Sequence, residues 1–163
     1  MAHTDLTVAA VVYQNGRYLF VEERSRNGIM FGQPGGHIEA GESPEQALER
    51  EVLEETGCRV VCSDLVGVYL WVQPHSHRQF LRIMYVADYL SCDETLALDE
   101  GIIARHWMRR DEIEDRASEL RSPAVLRSIE DFERGRREPD ALRAGLLPLS
   151  RHVERVMRKA ELV

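Results

Sequence analysis

Gly36-His37-Ile38-Glu39-Ala40-Gly41-Glu42, followed after seven residues by Arg50-Glu51-Val52-Leu53-Glu54-Glu55-Thr56-Gly57-Cys58, is the most informative stretch of the chain. Its second half opens with strong helix-start signals. Ser43 can cap, Pro44 suits the first helical position and Gln46 can close a capping box. Gly57 is a good helix stop, so the sequence predicts a helix from Ser43 to about Thr56. Successive residues of a helix turn by about 100°. Glu51, Glu54 and Glu55, spaced i, i+3, i+4, therefore project from one face, where like charges destabilise a bare helix. Ala47, Leu48 and Val52 fall in or beside the same arc, so the glutamates point toward the side that packs inward. A solvated acidic face would be the ordinary reading of a Glu-rich helix, and this arrangement argues against it. Buried carboxylates without partners are costly, and a divalent cation with hard oxygen ligands removes that cost.

The residues around the helix strengthen a metal-site reading. Gly35-Gly36 allows close backbone approach and can offer a carbonyl. Gly41 permits a turn that returns Glu42 toward the helix. Arg50 can hold carboxylates by bidentate hydrogen bonds.

This segment resembles the signature of the Nudix hydrolase family, G-x5-E-x7-R-E-U-x-E-E-x-G-U with U a bulky aliphatic. Gly36, Glu42, Arg50, Glu51, Val52, Glu54, Glu55 and Gly57 match, and Cys58 departs at the last aliphatic position. The resemblance implies an α/β (α+β) fold, a three-layer α/β/α sandwich around a mixed sheet, and hydrolysis of a diphosphate linkage with Mg²⁺ or Mn²⁺. Carried over by position, Glu51, Glu54, Glu55 and the Gly36 carbonyl would bind metal. Glu42 and Arg50 would support them. Glu51 and Glu54 would be catalytic, with either Glu51 or a carboxylate outside the signature activating water. Glu100 is the choice for that outside carboxylate, with Asp99 next. Fainter likenesses join Thr7–Val12, Val21–Glu23, Gln33–Glu39, Phe80–Arg82 and Leu120–Pro123 to the bacterial phosphatase J branch of the family. That branch implies a phosphatase on nucleoside di- and triphosphates and on hydroxymethylpyrimidine diphosphate. The alternatives are a pyrophosphohydrolase of ADP-ribose, a dinucleoside polyphosphate or an oxidised nucleotide, or a nucleotide-binding module without turnover.

Other residues extend the expected site. Arg82 interrupts the apolar run Phe80–Val86, shares a strand face with Phe80 and Met84, and is expected to bind substrate phosphate. Tyr69 and Trp71 share a face and are read as stacking on a base, against core packing as the plainer alternative. Arg24 is grouped with them as substrate-binding. Arg121 is balanced between reaching substrate and opening a helix. His75 and His77 lack a third ligand for zinc.

The 163 residues suit one domain, with a core over about 6–135 and a C-terminal extension over 136–163. The net charge of −7 argues against broad nucleic-acid binding. No apolar run approaches the ~20 residues of a membrane span, and the N-terminus carries no secretory pattern. Cys58, Cys62 and Cys92 match no zinc or redox spacing and read as reduced thiols of a cytoplasmic protein. The expected partner is a small nucleotide or diphosphate, with neither nucleic acid nor membrane, in a monomer or homodimer. Strands are predicted over Thr7–Tyr13, Arg17–Glu23, Arg59–Val72, Gln79–Tyr89 and Ile102–Met108, the first two as a hairpin around Asn15-Gly16. Helices are predicted over Asp111–Ala117, from Ser122-Pro123 to about Arg134, and over Arg151–Ala160. Asn27–Gly36 and Arg136–Pro148 read as loops.

Overall fold

The computed structural model describes residues 3–147. Strand β1 (Thr4–Val11) is followed by the short β2 (Tyr13–Gln14), β3 (Arg17–Ser25) and β4 (Gly28–Gly32). Helix α1 (Pro44–Thr56) precedes the long strands β5 (Cys58–Val72) and β6 (Gln79–Cys92). Strand β7 (Ile102–Met108), helix α2 (Arg110–Asp115), a 3₁₀ turn at Ala117–Glu119, helix α3 (Ala124–Glu133) and helix α4 (Asp140–Gly145) complete it.

Residues Val8 to Val12 are all buried, so β1 needs cover on both faces. It therefore lies parallel to β6, with β5 antiparallel on the other side of β6. This corrects the expected opening hairpin, which shrinks to the two residue pairs of β2 with β3. Asn15 and Gly16 both take positive φ in that turn, as a tight hairpin requires. A second, antiparallel sheet sets β3 between β4 and β7. Alternation along β1 feeds two cores. Val8, Ala10 and Val12 meet Ala47, Leu48 and Val52 of α1. Ala9 and Val11 meet Val125 and Ile129 of α3. Helices thus cover both faces of a mixed sheet.

Three further expectations are corrected. Residues 28–32, read as loop because of their glycines, form β4, since Phe31 and Gly32 are buried against β3. Residues 140–145, also read as loop, form α4, which is anchored by Arg143. Its guanidinium bonds the Glu45 carboxylate at the start of α1 and the carbonyls of Cys62 and Ser63 on β5. Cys58 and Cys92 face each other across β5 and β6 and form a disulfide, so only Cys62 is a free thiol among the described residues. The expected helix at Arg151–Ala160 lies outside the described residues.

Candidate active site

Helix α1 forms as its caps dictate. Ser43 Oγ accepts from the Gln46 N–H at 3.1 Å and Gln46 Oε1 accepts from the Ser43 N–H at 3.0 Å. Gly57 ends the helix at φ 70°, its N–H donating to the Leu53 carbonyl. This fixed scaffold projects Glu51, Glu54 and Glu55 from the arc that also carries the buried Ala47, Leu48 and Val52, so Glu55 is buried with them and Glu51 and Glu54 are partly buried.

Arg50 binds the carboxylates into one array. Its Nε and Nη2 donate to the two oxygens of Glu42 at 2.7 and 3.0 Å. Its Nη1 donates to Glu51 at 2.7 Å and to Glu54 at 3.1 Å, and Nη2 also reaches the His37 carbonyl. Glu42 in turn accepts from the Glu39 N–H at 2.9 Å, which closes the turn at Gly41. The guanidinium holds the Glu42 carboxyl below its usual range. Burial pushes the Glu51 carboxyl up despite Arg50, with Glu54 and Asp99 adding repulsion.

The two neighbouring glycines make separate close approaches. A Cβ on Gly35 would lie 2.6 Å from Ala9 Cα and would run into the Val8 carbonyl. A Cβ on Gly36 would lie 2.6 Å from Glu51 Oε1, so the carboxylate rests directly on this backbone. The Gly36 carbonyl accepts from the Val8 N–H at 2.9 Å and keeps a second lone pair.

Glu51, Glu54 and Asp99 offer carboxylate oxygens that all lie within 4.8 Å of one another. Asp99 is held there by its N–H, which donates to the Glu54 carbonyl at 3.0 Å. Glu100 is exposed and stands outside this group. Of the two loop carboxylates named from sequence, the one beside Glu51 and Glu54 is Asp99. Three anionic oxygens so close suit a divalent cation of hard character. The Gly36 cradle, which leaves no room for a Cβ, fits the same purpose.

Glu55 sits apart from that trio. It is 7% exposed and accepts from the Gly35 N–H at 2.9 Å. Burial raises its pKa to about 7, with Arg121 pulling the other way. Glu51 and Glu55 line a cavity of about 360 Å³ with Gly35, Gly36, Arg82 and Arg121. Arg82 is 5% exposed, and burial lowers its pKa to about 9. Its Nε donates to Thr7 Oγ1 at 3.2 Å, and it pairs with no carboxylate among the described residues. Arg121 is fixed by Glu23 at 3.0 Å and by the Gln33 carbonyl at 2.6 Å. One wall is therefore anionic and the other cationic.

The remaining candidates fall elsewhere. Trp71 stacks on Phe80 at 5.1 Å, and the Arg82 guanidinium lies 5.1 Å from its ring centre. It backs the arginine. Tyr69 donates to Asp131 at 2.8 Å and packs beside the α3 core. Arg24 is exposed and cross-strand from Ile29, on the face of β3 that carries Glu22, away from the cavity. Sequence reading missed Thr7, whose role shows only in its register opposite Arg82.

The family description NUDIX domain matches residues 3–128. The chain belongs to the Nudix family. It is similar to Phosphatase NudJ of Escherichia coli K12, at 35% identity over 134 residues, spanning 82% of this chain and 86% of that protein. The Phosphatase NudJ of Shigella boydii matches to the same extent. A NUDIX hydrolase from Nitrosomonas europaea superposes with a TM-score of 0.81 at 40% identity, over 84% of this chain and 93% of that one. A MutT protein from Methanosarcina mazei superposes with a TM-score of 0.62 at 26% identity, over 82% and 93% of the two chains. This Nudix protein is a hydrolase of phosphoric anhydride bonds, and its small-molecule substrate is a nucleotide.

Proposed function

We propose that this Nudix hydrolase is a Mg²⁺-dependent phosphatase acting on nucleoside di- and triphosphates, with hydroxymethylpyrimidine diphosphate as a further substrate. The observation that carries the proposal is the two-sided cavity, with Glu51 and Glu55 facing Arg82 and Arg121. The similarity to Phosphatase NudJ supports the phosphatase reading. Mn²⁺ would serve in place of Mg²⁺, since both favour oxygen ligands.

Glu51, Glu54 and Asp99 would hold the ion, together with the Gly36 carbonyl, and Glu55 would add charge from the cavity side. When bound, the ion supplies Lewis-acid stabilisation of charge on phosphoryl oxygens. The protein's own groups do the rest. Arg82, desolvated and without a carboxylate partner among the described residues, meets a phosphoryl oxygen by a charge-assisted hydrogen bond. Arg121 is fixed and loses little freedom on meeting the same anion. Arg50 keeps the carboxylates in place without entering the cavity. A carboxylate that takes the proton of attacking water must lie at this cluster. Glu51, Glu54 and Asp99 meet that condition, Glu55 lies beside Glu51 on the cavity wall, and Glu100 stands outside the group.

The test is a panel of nucleoside di- and triphosphates, ADP-ribose and hydroxymethylpyrimidine diphosphate with Mg²⁺, scoring orthophosphate and pyrophosphate separately. Orthophosphate from the nucleoside phosphates, abolished by Glu51→Gln, supports the proposal. Pyrophosphate, or two monophosphates from ADP-ribose, as the dominant product would transfer the substrate assignment to another diphosphate.

A further inference from the structure

The catalytic cavity of about 360 Å³ shares Arg121 with a second, larger recess. That recess has a volume of about 730 Å³, within the range of small-molecule sites. We infer that this recess receives the heteroaromatic group of the substrate, a planar ring with a hydrogen-bonding edge, while Arg121 marks the junction with the phosphates. The inference rests on the diphosphate reading of the catalytic cavity and goes further by assigning where selectivity for the organic part resides.

Three features support it. First, adjacency: Arg121 lines both spaces, so a ligand whose phosphates meet Arg82 and Arg121 has the recess beside it. Second, charge: among the described residues the recess is lined by no carboxylate, so a substrate carrying several negative charges meets no repulsion from them there. A recess of similar size across β3 and β7 is lined by Glu22, Glu112, Asp115 and Glu119 and shares no residue with the catalytic cavity. Third, chemistry: apolar surfaces of Met30, Pro123 and Leu126 suit the faces of a ring. Gln73 and His75, from the loop between β5 and β6, suit its edge. The Gln73 carbonyl oxygen already accepts from the Ser76 hydroxyl at 2.7 Å, which leaves its amide NH₂ to donate. Ser122 lines the same recess, and its buried hydroxyl has no partner among the described residues. An orphaned buried hydroxyl calls for an explanation, and a ring heteroatom or an intervening water answers it.

Tyr69 and Trp71 play no part in this recess. They border a separate shallow groove with Val68 and Arg127. The ring is therefore gripped by aliphatic side chains and amides rather than stacked on aromatics.

The test separates the two halves of the ligand. Isothermal titration of the full chain in Mg²⁺ uses methylenediphosphonate and nucleoside 5′-(α,β-methylene)diphosphates, which resist cleavage at the bridging carbon. The nucleoside analogues are expected to bind at least about tenfold more tightly than methylenediphosphonate. Ser118 is exposed on the rim of the recess, and Ser118→Trp is expected to bring that ratio close to unity. Val68→Trp, in the shallow groove, is expected to leave the ratio unchanged. If methylenediphosphonate binds and the nucleoside adds nothing, the recess assignment is overturned and the catalytic reading stands. If Val68→Trp lowers the ratio and Ser118→Trp does not, the ring lies in the shallow groove and the assignment is again overturned. If neither ligand binds, the diphosphate reading falls, and this inference with it.

Discussion

Replacing Gly36 by Ala tests whether the backbone cradle sets catalysis. Gly36 does not use a positive φ, so alanine fits the backbone without torsional strain and the effect is purely steric. The new Cβ would lie 2.6 Å from Glu51 Oε1 and closer still to Cδ and Oε2. Restoring ordinary contact requires the carboxylate to retreat by about 1 Å. The retreat is opposed by the 2.7 Å bond from Arg50 and by a helix fixed at both ends. A misplacement of about 1 Å in a catalytic constellation costs about a hundredfold in rate. The expected result is a kcat/KM about a hundredfold lower for orthophosphate release, a higher Mg²⁺ requirement, and a melting temperature close to wild type. Wild-type kcat/KM with an unchanged Mg²⁺ requirement would refute the reasoning, because it would mean that the Glu51 position seen here is not the working one.

Four further outcomes are expected. The Glu55 pKa is raised from 4.5 to about 7, so without divalent ions the folded protein holds a proton that the unfolded chain has lost. Stability from this source is full below pH 4.5 and is lost as pH rises to 7, by at most about 3 kcal/mol. Glu55→Gln should remove that slope in denaturation curves run in chelator across this range. Arg82 is a buried cation with no paired carboxylate among the described residues, so Arg82→Met should raise the melting temperature while lowering kcat/KM by at least about tenfold. A loss of both would place Arg82 in the structural framework instead. Asp99→Asn should raise the half-saturating Mg²⁺ concentration at least about tenfold, and Glu100→Gln should not, as a metal titration of activity will check. Reducing the disulfide opens a loop of 34 residues and should cost about 3–4 kcal/mol in the chain-entropy account. Urea denaturation with and without reductant measures this, and Cys92→Ser should reproduce the reduced value.

What the sequence disclosed was mostly local. The capping residues Ser43 and Gln46 and the stop at Gly57 act within a few positions, and helix α1 begins and ends where they indicate. The inward aim of the glutamates followed from one helical turn. Arg50 was legible as a residue that holds carboxylates, but its grip on Glu42 depends on how the Gly41 turn closes. Features that need distant strands in register were hidden. The Cys58–Cys92 bond joins residues 34 apart on strands with three register shifts. Asp99 stands ahead of Glu100 because its N–H bonds the Glu54 carbonyl, a contact no spacing rule contains. β4 was masked by the glycines at its two ends, one of which is needed where Arg121 crosses. A Cβ on Gly32 would lie 2.8 Å from Arg121 Nε. Arg121 itself was undecided in sequence, because only the fold turns it from the α3 entry into the cavity.

The Arg50 array has a consequence for how such an enzyme can diversify. All the side chains it joins, and the one carbonyl, belong to residues 37–54. The array is therefore inherited as one contiguous cassette, seated on β1 through two glycines that tolerate no side chain. The recess beside it is built from other segments, around residues 27–30, 73–75 and 117–126, and the cassette contributes nothing to its lining. Drift in those segments at positions other than Arg121, which also lines the catalytic cavity, can retune which compound is accepted without disturbing the chemistry. A recombination library that shuffles them around an unaltered cassette would sample new preferences among mostly active proteins.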